Sequence, residues 1–376
     1  MKKKILFISH DASRTGAPIL LLNLARLLKE NGYAIDFLLK KGGPLEHQFR
    51  ELGEECFIAH RAASASLFSR LKRRIYRKPF FDLRTLNWEG YSLILSNTIT
   101  NGDILPLIRE KYKGKIISYI HELQMATQFF TSADHVQDLL KCTDHFIVPS
   151  ITVKDHLISN LEVLPAGISL LNYFIPANST MADKDLIPKS TYHVGGAGTT
   201  DWRKGSDLFI HVALNVFKKL PDLKIHFFWK GAAEHHFETE RLLYDINKAG
   251  LANKVTLLPA NQEMNDFYGL LDLFLLPSRE DPYPLVVLEA AGSGVPSICF
   301  DNSGGATEFI KESGGGLTVS YLDTVQMADK VIYYYEYPNK RDEAGLLAKN
   351  YLINRHQNQQ YIFDQFEEIL KRTNAE

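Results

Sequence analysis

Asp281 and Glu289 flank seven residues within Pro277–Pro296, PSREDPYPLVVLEAAGSGVP. A strand read through LDLFLLP ends at Ser278, an acidic, proline-containing turn follows, and a helix is predicted to start near Pro284–Leu285. Proline suits the first helical position, because its missing N–H would have no intrahelical partner there. The N–H groups of Tyr283, Leu285 and Val286 then point out of the helix start, where the positive end of the helix dipole favours an anion such as phosphate. With Asp281 in the turn and Glu289 in the second helical turn, both carboxylates can face one pocket. Carboxylates accept hydrogen bonds from vicinal hydroxyls and exposed amides bind phosphate, so the segment suits a sugar nucleotide. A surface turn whose acids cap a helix explains either carboxylate alone as readily, but explains the whole run less well.

A second constellation lies in HVGGAGTTDWRKGSDLFI, where Gly195, Gly196 and Gly198 follow a strand and Arg203, Lys204 and Gly205 precede a helix. The dinucleotide fingerprint G-x-G-x-x-G would need glycine where Asp201 stands, which weakens a Rossmann-dehydrogenase reading. Two cations in such a turn would stabilise a leaving diphosphate without a metal, as preorganised charge does in phosphate chemistry. The bland alternative is a solvated Arg-Lys pair. Near the N-terminus, SHDASRTGAPILLLNLARLL puts Gly16 in a small-residue loop before a helix. The predicted strand KIISYIHEL ends in His121 and Glu122, at the strand end where open α/β sheets bind ligands. A lone histidine is more often structural, and Glu122 could equally cap the next helix. Arg70–Lys78, within RLKRRIYRKPFF, concentrates positive charge. It is read either as a solvated basic face or as a patch for a membrane surface or an anionic acceptor.

These residues need elements to hold them, and short apolar runs alternating with amphipathic stretches supply βαβ units. Strands are predicted at Lys4–Ser9, Ala34–Leu39, Leu93–Ser96, Lys115–Ile120 and His145–Val148 in the first half. In the second half they fall at Thr191–Gly195, Lys224–Phe228, Val255–Leu258, Leu273–Leu276 and Ser297–Phe300. Helices are read at Ala17–Glu30, from Ser206, and over His356–Arg372. Pro165, Gly167, Pro176 and Pro188 mark a linker between them. The expected fold class is therefore α/β, with two Rossmann-like doubly wound parallel-sheet domains facing a central cleft. Residues 1–176 form the first, 177–353 the second, and 354–376 a terminal helix for which packing back on the first is one option.

The 376 residues suffice for two such cores, and 45% hydrophobic with 23% charged residues is a globular balance. A formal net charge of -1 argues against a nucleic-acid-coating protein. The three cysteines, Cys56, Cys142 and Cys299, show no metal-ligand spacing, which fits buried thiols in a reducing compartment. The apolar run Ile5–Ile8 is too short for a signal peptide, and no stretch approaches the ~20 residues of a membrane helix. A cytoplasmic protein, peripheral at the inner membrane face if the basic patch acts there, is the expectation.

The carboxylate segment resembles the E-x7-E signature of glycosyltransferase family 4, written S-x-x-E-G-F-x-L-x-x-L-E-A. Ser278, Leu285, Leu288, Glu289 and Ala290 match it; Asp281 stands for the first Glu, Pro282 for Gly and Tyr283 for Phe. The second constellation is similar to that family's G-R-x-x-x-x-K-G: Lys204 and Gly205 match, the place of the arginine is read as Gly198, and Arg203 is the candidate to supply its charge. The resemblance implies the GT-B fold, a retaining and metal-independent transferase, and no cofactor beyond the nucleotide-diphosphate sugar. It assigns donor-sugar hydroxyls to Asp281, the ribose to Glu289 and the diphosphate to Arg203 and Lys204. Tyr283, Pro284, Leu285 and Val286 complete the donor contacts, Gly16 lies near the phosphates, and His121 orients a donor or acceptor hydroxyl. Gly304 and Gly305 would line the donor pocket. The implied acceptor is a glycan or a lipid-linked glycan, of the polysaccharide or lipopolysaccharide type. No protein nucleophile is expected, since the leaving diphosphate helps deprotonate the acceptor. Asp183-x-Asp185, a metal-site pattern in other transferases, falls in the linker and is discounted. The alternatives are a sugar-nucleotide 2-epimerase of the same layout and a nucleotide-sugar-binding protein without turnover.

Overall fold

The computed structural model describes residues 3–59, 86–177, 191–259 and 264–373. The basic stretch Arg70–Lys78 and the Asp183–Asp185 pair lie outside the described residues. The chain divides into two units, Met1–Ile175 with Gln359–Glu376, and Pro176–Asn358.

Unit 1 holds a seven-stranded, all-parallel sheet in the order β3-β2-β1-β4-β5-β6-β7. Its strands are β1 Lys4–Ser9, β2 Ala34–Leu39, β3 Glu55–Ile58, β4 Leu93–Asn97, β5 Lys115–Tyr119, β6 His145–Val148 and β7 Ile168–Leu170. Central strands of a parallel sheet are covered on both faces, so they read as unbroken apolar runs. Ile5, Leu6, Phe7 and Ile8 of β1 are all 0% exposed. The edge strands β3 and β7, ECFI and ISL, escape the sequence reading because one flank needs less covering and the apolar run is correspondingly thin.

Helix Gly16–Glu30 follows β1 and buries Leu20, Leu21, Leu24, Leu27 and Leu28 at helical spacing. The helix Gln359–Thr373 belongs to this unit. Tyr33 donates to Glu367, Gln365 bonds the backbone N–H of Asn172 at 3.3 Å, and Ile362, Phe366, Ile369 and Leu370 are buried. His356 is not its first residue, as the sequence suggested. Helix Pro338–Arg355 ends just before His356, and the chain passes through Gln357 and Asn358 before the next helix starts.

Unit 2 holds a six-stranded parallel sheet in the order β10-β9-β8-β11-β12-β13. Its strands are β8 Tyr192–Ala197, β9 Ile225–Ala232, β10 Val255–Pro259, β11 Leu273–Leu276, β12 Ser297–Phe300 and β13 Gly316–Val319. The sequence reading missed only the edge strand β13, GLTV. The strand order reverses between β1 and β4 in unit 1 and between β8 and β11 in unit 2. Ligands of open α/β sheets bind beyond the strand C-termini at such switch points. His121 follows β5 and Ser278 follows β11, so both candidate regions sit at those ends. Among the described residues, no helix is long and apolar enough to cross a membrane.

Candidate functional site

In unit 2 the site grows from the two strands at the switch point. After β8 the chain makes a short turn, Trp202–Lys204, closed by the Asp201 carboxylate accepting from the Lys204 N–H at 3.1 Å. Gly205 then takes φ 71. A Cβ there would come 2.0 Å from the Pro277 carbonyl oxygen, so only glycine lets this turn lie against the end of β11. Arg279 locks the contact. Its N–H donates to the Arg203 carbonyl at 2.8 Å, and its guanidinium forks onto Asp207 at 2.9 and 2.8 Å.

The far side of the carboxylate turn is pinned as tightly. The Asp281 N–H donates to the Ser303 carbonyl at 2.7 Å, and Gly305 N–H donates back to the Asp281 carbonyl at 3.2 Å. Gly304, at φ 139, would drive a Cβ to 1.7 Å from that carbonyl oxygen. Held on both sides, the Asp281 carboxylate meets the Lys204 ammonium at 2.6 Å, with side chains 6% and 19% exposed. Two residues 77 positions apart in sequence thus form one nearly buried ion pair.

The neighbouring candidates take different postures. Arg203 turns its guanidinium to the Glu280 carbonyl at 3.2 Å. Pro284 caps the helix Leu285–Gly292 from outside and is not its first residue, because its ψ of 118° is extended. The N–H groups of Leu285 and Val286 occupy the first helical positions, which have no intrahelical acceptor. The Tyr283 side chain is buried, and its hydroxyl lies 3.1 Å from Nε2 of the fully buried His356. What Tyr283 offers a ligand is therefore its backbone. Glu289 is half-buried in the second helical turn and accepts from the Tyr268 hydroxyl at 2.7 Å. Burial pushes its carboxyl above the usual range, and the Tyr268 hydrogen bond pulls the other way. Tyr268, 1% exposed, was not singled out from the sequence. Its signal there is a lone hydroxyl in the apolar run FYGLLDLFLL.

In unit 1, His121 is buried beyond the end of β5. Its Nε2 lies 2.6 Å from Asn97 Oδ1 and its Nδ1 lies 2.9 Å from the Tyr173 hydroxyl. Asn97 spends its amide N–H on the Ala17 carbonyl at 3.0 Å, so its oxygen faces the ring. That network assigns the proton to Nε2, with Nδ1 accepting from Tyr173. The Glu122 Oε2 accepts from the N–H of Ile99 at 3.1 Å and of His121 at 3.0 Å. Thr98, directly before Ile99, sits at φ 87, a strained conformation for a β-branched residue. Gly16 is the first residue of its helix, not part of the preceding loop; Thr15 is the cap. Asn97 thus ties the start of that helix to His121.

Burial holds the His121 imidazole down to about 3, from an ordinary 6.5. A histidine depressed in the folded state contributes stability above its unfolded value that is lost as pH falls toward the folded one. Wild-type protein is therefore expected to lose more unfolding free energy than His121→Asn between pH 6.5 and about 3. Urea midpoints across that window check this, and parallel curves would refute it.

Comparison with known proteins adds to the geometry. A family model described as Glycosyl transferases group 1 matches residues 189–336, within unit 2. The lipopolysaccharide core biosynthesis mannosyltransferase LpsB of Rhizobium meliloti is 29% identical over 197 residues, 51% of this chain and 55% of that protein. A D-inositol 3-phosphate glycosyltransferase of Paenarthrobacter aurescens is 27% identical over 195 residues, 51% of this chain and 47% of that protein. The alignments thus span about half the length of these curated relatives. Among solved structures, HepE from Anabaena in complex with UDP and glucose matches with a TM-score of 0.79 at 17% identity, covering 98% of this chain and 99% of that one. The lipopolysaccharide outer core galactosyltransferase WaaB matches with a TM-score of 0.71 at 12% identity, covering 98% and 99%. The fold is GT-B.

Within this GT-B chain, the family match contains Lys204, Asp281 and Glu289, while Gly16 and His121 lie outside it. One spacing needs correcting. Counting back from Lys204 in G-R-x-x-x-x-K-G puts the arginine at Thr199, one residue after Gly198. The Thr199 hydroxyl donates to Asp201, the same side chain that closes the Lys204 turn. Among the described residues, no three His, Cys, Asp or Glu side chains gather in a metal-binding group.

Proposed function

We propose that this chain is a retaining glycosyltransferase of the family 4 type. It moves a sugar from a nucleotide-diphosphate donor to a glycan or lipid-linked acceptor, and needs no bound metal. The observation that carries the reading is the pinned Lys204–Asp281 pair at the head of the helix that bears Glu289. Lys204, with the N–H groups of Leu285 and Val286, neutralises the diphosphate as charge builds on the leaving oxygen. Asp281 accepts from donor-sugar hydroxyls and Glu289 from the ribose hydroxyls. Arg203 adds positive charge at the same turn. The C1–O bond to the diphosphate breaks as the acceptor oxygen attacks from the same face, and the leaving phosphate oxygen takes the acceptor proton. In unit 1, His121 orients a hydroxyl and Gly16 lies at the phosphates.

The printed roles of the relatives support this reading. HepE was crystallised with UDP and glucose, and LpsB serves lipopolysaccharide core synthesis. UDP-sugars are accordingly the first donors to test and lipopolysaccharide-type glycans the first acceptors. Action in the cytoplasm, at the inner membrane face through Arg70–Lys78, fits such an acceptor.

A panel of nucleotide sugars tested by thermal shift in EDTA decides the donor. A ligand at a hundredfold over its Kd stabilises the native state by about 2.7 kcal/mol. One sugar nucleotide is expected to raise Tm with EDTA present. Stabilisation by NAD alone, or only with added metal, would sink the proposal. Release of nucleoside diphosphate that depends on acceptor then separates transfer from 2-epimerisation, which consumes donor alone.

A further inference from the structure

Two groups assigned to different parts of the donor hold each other in the structure. The Lys204 ammonium, meant for the diphosphate, is 2.6 Å from the Asp281 carboxylate, meant for the sugar. Their backbones are held close together. The Trp202–Lys204 turn is fixed by Asp201 and by the Gly205 approach to Pro277. The Asp281 backbone is clamped by Ser303, Gly304 and Gly305. With so little exposure the pair is weakly screened, so its energy responds strongly to any third charge.

We infer that Asp281 acts as an internal competitor for Lys204, so that the site favours an intact nucleotide sugar and rejects a bare nucleoside diphosphate. This rests on the transferase reading. A diphosphate that engages Lys204 must share it with a carboxylate of its own sign, and the repulsion weakens binding. An intact donor removes that penalty. Its sugar hydroxyls donate to the Asp281 carboxylate, replacing the ammonium and freeing Lys204 for the phosphates. Once the sugar has gone to the acceptor, Asp281 loses those hydroxyls and reclaims Lys204, which expels the product. The carboxylate is thus a specificity-determining and product-releasing group as well as a sugar contact.

Calorimetric titration of UDP and of inorganic pyrophosphate tests this with wild type, Asp281→Asn and Asp281→Glu, each checked for cooperative unfolding. Asp281→Asn removes the competing charge and keeps the shape. It is expected to bind UDP and pyrophosphate at least about tenfold tighter, the size of one charge repulsion at a few ångströms. Asp281→Glu keeps the charge and stays within about threefold of wild type. Asp281→Ser serves the same purpose if the asparagine variant does not fold. Wild type that binds UDP while the asparagine variant binds equally or more weakly overturns the inference and leaves the transferase reading standing. If an intact nucleotide sugar binds wild type but no variant binds UDP or pyrophosphate, the inference alone falls; if no nucleotide sugar binds either, the transferase reading falls and takes this inference with it.

Discussion

Replacing Lys204 with methionine is expected to abolish nucleotide-diphosphate binding and to destabilise unit 2 by about 3 kcal/mol. The two effects share one cause. Asp281 is 6% exposed, and removing the ammonium at 2.6 Å leaves a nearly buried carboxylate without that counter-charge. Stranding one member of a buried ion pair costs far more than the pair itself contributes. The double substitution Lys204→Met with Asp281→Leu separates the effects. It should recover most of the stability, because a desolvated pair exchanged for apolar groups is close to neutral, yet it should still not bind. Urea unfolding and calorimetric titration of UDP measure the two quantities. A single variant with wild-type affinity would remove Lys204 from the donor site.

Gly304→Ala should be nearly as damaging for a different reason. The substitution adds one methyl group, but at φ 139 and 1.7 Å from the Asp281 carbonyl oxygen. Neither the backbone conformation nor the space accepts a Cβ, so Asp281 or the Ser303–Gly305 turn must move by more than an ångström. The expected result is a loss of roughly a hundredfold in nucleotide affinity, since charged hydrogen bonds of this kind are worth about 1.5–3 kcal/mol and depend on position. Gly167→Ala is the control, because a Cβ there meets nothing within 4 Å. A Gly304→Ala protein that binds as wild type does would show that the pinned turn is not needed.

The sheets were largely legible in the sequence because burial on both faces writes itself as apolar runs. The bounds of β1, β2, β6, β11 and β12 coincide with the runs read beforehand. What escaped was set by tertiary neighbours. The edge strands β3, β7 and β13 carry little pattern of their own. Pro284 has the right residue type for a helix start, yet the Asp281–Gly304 bridge next to it leaves it extended just outside the helix. The motif residues Lys204, Asp281 and Glu289 were singled out by type and spacing, but their partners were not. Tyr268 lies 21 residues from Glu289, Asn97 lies 24 from His121, and Lys204 lies 77 from Asp281. Only strand order brings them together, and spacing along the chain does not encode it.

Unit 1 is discontinuous, with unit 2 threaded between Ile175 and Gln359. Multidomain chains generally fold from the N-terminus as they leave the ribosome. Here the first unit cannot close in that order, because the helix that buries Ile362, Phe366, Ile369 and Leu370 against it emerges only after all of unit 2. During synthesis the apolar surface meant for that helix therefore waits uncovered while unit 2 is being made. The second unit's sheet and helices are thus complete before the first-begun unit is, an inversion of birth order written into the chain by the position of its last helix.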